Sequence, residues 1–85
     1  MPGSPTPLVP DDFYPRLIKA LVKARGDASL RQQDVADRLG RPQAFVSRYE
    51  TLERRLDVAD YVAVARAIGA DPVALFARVL GGEAG

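Results

Sequence analysis

The chain has 85 residues, of which 47% are apolar and 27% charged, and its formal net charge is +1. This composition is typical of one small folded domain rather than of a disordered chain. Cysteine and histidine are absent, which excludes disulfides and metal sites built on thiolate or imidazole ligands, and removes the most common general base. We therefore expect no enzyme activity, no metal and no other cofactor.

The two ends of the chain differ from its middle. Residues 1–10 contain four of the seven prolines, so we expect a disordered proline-rich tail at 1–10, a folded domain at 11–81 and a C-terminal tail at 82–85. No apolar run approaches the roughly 20 residues that span a bilayer, and the N-terminus has no basic region followed by an apolar one. These features predict a cytoplasmic protein without a membrane partner.

The first predicted helix begins near Asp11–Asp12, whose carboxylates suit an N-cap, and runs to about Arg25. Pro15 fits only in its first turn, and Gly26–Asp27 should end it. Its apolar residues at helical spacing are Phe13, Leu17, Ile18, Leu21 and Val22. This helix should therefore bury one stripe against the rest of the domain.

The stretch 31–50 predicts two short helices that share one core. The apolar residues at helical spacing on either side of Gly40 are Val35, Ala36, Leu39, Val46 and Tyr49. Ala36 is small enough for two helices to cross closely, and Gly40 allows the chain to turn sharply. Helix 2 is expected from about Arg31 to Leu39, with Ser29 and Gln32 as a candidate capping box. Helix 3 is expected from Pro42 to about Thr51.

Two further helices follow. Asp57 should cap helix 4 and Gly69 should end it. The inward residues of helix 4 are expected to be Val58, Tyr61, Val64, Ala65 and Ile68. Asp71 and Pro72 repeat an N-cap and first-turn pattern for helix 5, whose large apolar residues are Val73, Leu75, Phe76, Val79 and Leu80. Five such residues exceed one buried stripe, so we expect part of helix 5 to face a partner.

A family resemblance rests on the central stretch. The small, turn and β-branched residues of this stretch resemble those of the lambda-repressor-like, or XRE-type, helix-turn-helix. The residues that carry the resemblance are Gln32, Val35, Ala36, Leu39, Gly40, Val46, Ser47, Tyr49 and Glu50. The resemblance extends over about residues 17–80 and implies an all-α, five-helix lambda-repressor-like domain. It also implies a sequence-specific DNA-binding regulator in which helix 3 is the recognition helix.

The resemblance implies one structural contact and leaves two helix ends open. Arg25 aligns with a helix 1 arginine that forms an ion pair in the family with the acid at the position of Glu50; two solvated charges are the alternative. Arg31 stands where the family usually has a Ser or Thr cap. Leu52 stands where glycine is common, so helix 3 ends near Thr51 or continues for one turn.

Candidate DNA contacts follow from the face of helix 3 opposite its core residues. The base-reading candidates are Gln43, Ala44, Ser47 and Arg48, with Phe45 between core and groove. Gln43 suits adenine and Arg48 suits guanine; ordinary solvated surface is the alternative for both. The candidate phosphate contacts are Arg31, Gln32, Arg41, Arg54 and Arg55, of which Gln32 matches a phosphate-binding glutamine of the family. Arg54 and Arg55 are equally well explained as solubilising charges.

These features predict a transcriptional regulator that acts as a repressor. It is expected to bind a palindromic operator in double-stranded DNA as a homodimer, in association with the nucleoid. The expected dimer contacts on helix 5 are Phe76, Val79 and Leu80; closure of the domain's own core is the alternative for them. A rival hypothesis is an antitoxin or phage adaptor that acts mainly through protein contacts of helix 5. Catalysis by Asp34 and Asp37 and membrane binding by helix 1 are weaker hypotheses, and no small-molecule ligand is evident.

Overall fold

The computed structural model describes residues 8–82, and the regular secondary structure of this range consists of five α-helices. They are α1 (Phe13–Asp27), α2 (Gln32–Leu39), α3 (Gln43–Glu50), α4 (Val58–Ile68) and α5 (Pro72–Leu80). The predicted all-α, five-helix fold is therefore confirmed. Most of the predicted tails at 1–10 and 82–85 lies outside the described residues.

Side-chain caps start the last two helices as predicted. The Asp57 carboxylate accepts a hydrogen bond of 2.7 Å from the backbone N–H of Asp60 at the start of α4. At the start of α5 the Asp71 carboxylate accepts from the backbone N–H groups of Val73 at 2.9 Å and Ala74 at 3.2 Å. Each carboxylate thereby binds donors that have no partner inside the helix.

The predicted ends of α1 are confirmed, but its predicted side-chain cap is absent. Asp12 is the N-cap residue, yet its carboxylate makes no capping bond and instead lies 3.3 Å from the guanidinium of Arg16. The helix ends at Asp27, and the chain reverses at Ser29, which has φ +58°. Ser29 therefore belongs to the turn after α1, and the predicted capping box of Ser29 with Gln32 is wrong.

The start of α2 is stabilised by an acid inside the helix rather than by a hydroxyl before it. Arg31 is the N-cap residue, and the Asp34 carboxylate accepts from the Arg31 backbone N–H at 2.8 Å and from its guanidinium at 2.8 Å. These hydrogen bonds from Arg31 lower the pKa of Asp34 to about 2. A carboxylate in the first turn also interacts favourably with the helix dipole.

The turns on either side of α3 use left-handed backbone. Gly40 has φ +67°, and the next backbone N–H, that of Arg41, donates to the Ala36 carbonyl at 3.0 Å. After α3 the same conformation falls on Leu52, with φ +67°. The helix therefore ends at Glu50 with Thr51 as its C-cap, although the chain lacks glycine at position 52. The predicted end near Thr51 is confirmed, and the alternative of one further turn is wrong.

One core unites the five helices. Its buried side chains are Leu17, Ile18, Ala20, Leu21, Val35, Ala36, Phe45, Val46, Tyr49, Tyr61, Val64, Ala65, Ile68, Leu75 and Val79. The inward position predicted for Val58 is wrong, because this residue lies in the first turn of α4 and is 82% exposed. Val73, in the first turn of α5, is 76% exposed, which agrees with the expectation that part of helix 5 is not buried. The fully buried Ala36 allows α2 and α3 to pack closely.

Arginine side chains tie helix to helix through backbone carbonyls. Arg16 of α1 donates to the Val79 carbonyl of α5 at 3.0 Å, and Arg38 of α2 donates to the Ala67 carbonyl of α4 at 2.7 Å. Both carbonyls lie near helix C-termini, where positive charge is favoured. The α2–α3 pair is thus anchored on α4.

Candidate nucleic-acid interface

The two faces of α3 differ sharply in exposure. Val46 and Tyr49 are fully buried, and Phe45 is 8% exposed and packs edge-on against Tyr49 at 5.7 Å between ring centroids. On the opposite side Gln43, Ala44 and Arg48 are exposed and Ser47 is half-buried. The four base-reading candidates therefore share the outer face of α3, whereas Phe45 belongs to the core.

Gln32, the predicted phosphate contact, and Gln43, the predicted base contact, are hydrogen-bonded to each other. The Nε2 of Gln43 in α3 donates to the Oε1 of Gln32 in α2 at 2.6 Å. The Nε2 of Gln32 in turn donates to Oε1 of Glu50 at 2.8 Å. The first residues of α2 and α3 and the last residue of α3 thus form one polar chain across the surface of the helix pair.

An ion pair lies at the inner end of this chain. The guanidinium of Arg25 donates from Nε to Oε2 of Glu50 at 2.6 Å and from Nη2 to Oε1 at 2.9 Å. The side chains of Arg25 and Glu50 are only 18% and 7% exposed, and the hydrogen bond to Glu50 raises the pKa of Arg25. The pair that the resemblance implied is present, and it joins α1 to the end of α3.

Two of the phosphate candidates gather around Phe45. The guanidinium carbon of Arg41 lies 4.4 Å from the centroid of the Phe45 ring, and that of Arg54 lies 5.1 Å from it. Arg41 also donates to the Asp60 carboxylate at 3.0 Å. The ring therefore holds two positive charges beside α3 by cation–π attraction.

The remaining phosphate candidates lie in different places. Arg31 is paired with Asp34, yet its side chain is 79% exposed, so its guanidinium stays accessible at the start of α2. Arg55 instead lies over the ring of Tyr14 in α1, at 4.4 Å from the centroid. The structure therefore brings Arg54 to α3 but separates Arg55 from it.

A second surface lies between α1, α4 and α5. It is a groove of about 640 Å³ whose lining includes Phe13, Tyr14, Val58, Val62, Val73, Phe76 and Leu80. Among the predicted dimer contacts, Phe76 and Leu80 are 38% and 59% exposed, but Val79 is 1% exposed. Val79 fills the domain's own core, so its assignment to a dimer contact is wrong.

The described part of the chain lacks the features of two other classes of site. A helix with the length and apolar character needed to span a bilayer does not occur between residues 8 and 82. Over the same range, acidic residues do not gather in a group of three or more that could hold a metal ion.

The pairing of α2 with α3 through a tight turn, with polar side chains on the outer face of the second helix, is the arrangement of a helix-turn-helix domain. The helix-turn-helix domain family matches residues 16–79. A solved structure of an XRE-family like protein from Pseudomonas syringae pv. tomato str. DC3000 is similar, with a TM-score of 0.80 and 45% identity over 81% of this chain and 84% of that one. Comparison with curated proteins gives no match. The chain belongs to the helix-turn-helix domain family and is of the XRE type.

The sequence reasoning found the outer face of α3 but missed how its neighbours are connected. The bonds from Gln32 to Gln43 and Glu50 join residues 11 and 18 positions apart. The sequence holds a usable signal for these bonds, because the three residues lie at the starts of two crossing helices and at the end of the second. It holds no signal for the stacking of Arg41 and Arg54 on Phe45, because that contact depends on the path of the loop after α3.

Proposed function

We propose that this protein is a sequence-specific regulator of transcription that binds a palindromic operator in double-stranded DNA as a homodimer and acts as a repressor. The observation that supports this most is the outer face of α3, where Gln43 and Arg48 are exposed beside the cations of Arg41 and Arg54. A short helix with such side chains fits the major groove. The protein acts in the cytoplasm, on nucleoid DNA, by occupancy rather than by catalysis.

Base reading is assigned to four side chains of α3. Arg48 presents a planar pair of donors to O6 and N7 of guanine, and Gln43 presents an amide to adenine. Ala44 contacts a thymine methyl group, and Ser47, at the edge of the exposed face, contributes a hydroxyl. Each good bidentate contact discriminates against a wrong base by about 1–3 kcal/mol.

Phosphate contacts set the register of α3 in the groove. Arg41 and Arg54 lie beside α3, and Arg31 and Gln32 lie at the start of α2. The segment from Arg31 to Arg55 carries six arginines against four acidic residues, which favours approach to DNA on this side. Arg55 lies on Tyr14 and makes at most a peripheral contact.

The groove between α1, α4 and α5 is assigned to a second copy of the chain. Phe76 and Leu80 expose apolar surface there together with Val73. Asp57 and Arg66 also line the groove. If two copies are related by a twofold axis with their α4 helices antiparallel, Asp57 of each copy faces Arg66 of the other, which places opposite charges together. To read a palindrome, this dimer must hold its two recognition helices roughly 34–36 Å apart, one turn of DNA.

Selection of bound sequences from a random DNA pool tests this function. At about 150 mM salt, where non-specific phosphate attraction is weakened, the wild type should enrich a twofold-symmetric site. Arg48→Ala should lose the preference at one base pair in each half-site. Arg78→Ala removes the same charge from the exposed side of α5 and should enrich the wild-type site. Failure of the wild type to enrich any site refutes the proposal.

A second candidate, an adaptor that binds another protein, is favoured by the same apolar groove. Leu80→Lys places a charge on an exposed position at the end of α5 without opening the core. If the groove is the dimer interface, this variant sediments as a monomer and loses affinity for the symmetric site. A wild type that is monomeric at high concentration and selects no DNA supports the adaptor instead.

A further inference from the structure

Three hydrogen-bonding steps connect the half-buried ion pair to the outer face of α3. They run from Arg25 to Glu50, from Glu50 to Gln32 at 2.8 Å, and from Gln32 to Gln43 at 2.6 Å. Only Gln43, at the outer end, is exposed, whereas the Glu50 side chain is 7% exposed. This chain of hydrogen bonds therefore begins inside the protein and ends at Gln43, the side chain that the proposed function assigns to adenine.

The chemistry of Glu50 gives these hydrogen bonds a direction. A carboxylate only accepts hydrogen bonds, and both oxygens of Glu50 already accept from the Arg25 guanidinium. Gln32 must therefore turn its NH₂ group toward Glu50, which leaves its carbonyl oxygen facing Gln43. That oxygen needs a donor, so Gln43 turns its own NH₂ group inward. The amide orientation of Gln43 is therefore set by the Glu50 carboxylate, to which Gln43 is connected through Gln32.

The reversed orientation is strongly disfavoured. With Gln32 flipped, its carbonyl oxygen would face the Glu50 carboxylate at hydrogen-bonding distance, and two acceptors would oppose each other without a proton between them. Because Glu50 is almost completely buried, water cannot readily enter to bridge them. Arg25 keeps the carboxylate in place through two further bonds.

We propose that Glu50, held by Arg25, is a positioning residue that makes Gln43 read adenine and reject guanine. This inference rests on the proposed DNA-binding function. With one N–H of Gln43 given to Gln32, its carbonyl oxygen and its second N–H remain for the DNA. This acceptor and donor pair matches N6–H and N7 of adenine, whereas guanine offers two acceptors, O6 and N7.

Replacement of Glu50 by glutamine tests the inference because it keeps the shape and removes the charge that orients the chain. In Glu50→Gln the new amide can donate to the Gln32 carbonyl, so Gln32 can flip and donate to the carbonyl oxygen of Gln43. Gln43 then presents two N–H donors and accepts guanine. Glu53→Gln is the matched control, since Glu53 is exposed and, within residues 8–82, its carboxylate accepts a side-chain hydrogen bond only from Thr51.

The readout is base preference in the selected sites. Gln43→Ala first identifies the base pair that Gln43 reads. There the wild type should prefer adenine over guanine by about tenfold or more, and Glu50→Gln should reduce this preference below about threefold. The preference at the base pair assigned to Arg48 should stay unchanged. Glu53→Gln should match the wild type at both positions.

A second variant and a second measurement separate the inference from loss of folding. Gln32→Met removes the middle of the chain while the ion pair stays intact, and it should relax the same base preference. In the free protein, the side-chain amide NMR signals of Gln32 and Gln43 should shift in Glu50→Gln, whereas that of Gln33, which donates to Asp37, should not.

The possible results are distinguishable. Loss of adenine preference in Glu50→Gln and Gln32→Met, with the Arg48 position unchanged, supports the inference. Wild-type preference in both variants overturns the inference and leaves the proposed DNA-binding function standing. A wild type without any base preference overturns both.

Discussion

Removal of the Glu50 carboxylate should destabilise the fold strongly. In the native protein it accepts three hydrogen bonds, from Arg25 at 2.6 and 2.9 Å and from Gln32 at 2.8 Å. Glu50→Ala would leave the charge of Arg25, whose side chain is only 18% exposed, without its counter-ion. Breaking one side of a buried ion pair typically costs about 3–5 kcal/mol.

The structure places the expected loss near the lower end of that range. Arg25 keeps one partner in Glu50→Ala, because its Nη1 donates to the Leu30 carbonyl at 2.9 Å, and it retains some contact with solvent. A loss of about 3 kcal/mol is large for a small domain, whose total stability is typically about 5–15 kcal/mol. It corresponds to a decrease in Tm of roughly 12–24 °C for a domain of this size.

Urea unfolding followed by far-ultraviolet circular dichroism measures this loss as a lower midpoint at unchanged slope. Glu53→Ala is the control and should change the free energy of unfolding by less than about 0.5 kcal/mol. Arg25→Met added to Glu50→Ala should recover part of the loss, because it removes the unpaired charge and keeps an apolar stem. A loss in Glu50→Ala no larger than in Glu53→Ala would refute the reasoning and make the pair an ordinary solvent-screened one.

Two further predictions concern the ends of α2 and α3. Leu52→Gly should stabilise the protein by about 0.5–1 kcal/mol, because Leu52 has φ +67°. Glycine relieves a left-handed strain of about 1–2 kcal/mol, which exceeds its own backbone entropy cost. An unchanged or lower urea midpoint would contradict this. The second prediction concerns Asp34, whose pKa the hydrogen bonds from Arg31 lower from 3.8 to about 2. Because the folded-state pKa is the lower one, this stabilisation is present above about pH 4 and is lost as the pH falls through about 2. The difference in unfolding free energy between wild type and Asp34→Asn should therefore shrink over that interval, and a difference that stays constant would disprove the link.

The sequence by itself determined the helices and the turn between α2 and α3. Local chemistry specifies these features: Asp57 and Asp71 bind nearby backbone N–H groups, Gly40 adopts a conformation that costs it little, and apolar residues at helical spacing favour one buried face. Each of these signals acts within about one helical turn. They are therefore readable from neighbouring letters, and the family resemblance in the same stretch added the pairing of Arg25 with Glu50.

Only the tertiary structure decided which residues of α5 remain available and how the polar chain is connected. Val79 and Leu80 are adjacent and equally apolar, yet one is 1% and the other 59% exposed, because the choice depends on the angle at which α5 packs on α1. Arg54 and Arg55 are likewise adjacent, and they stack on aromatic rings of different helices. The path from Glu50 through Gln32 to Gln43 exists because two helices cross at one particular distance, which depends on the packing of the whole core.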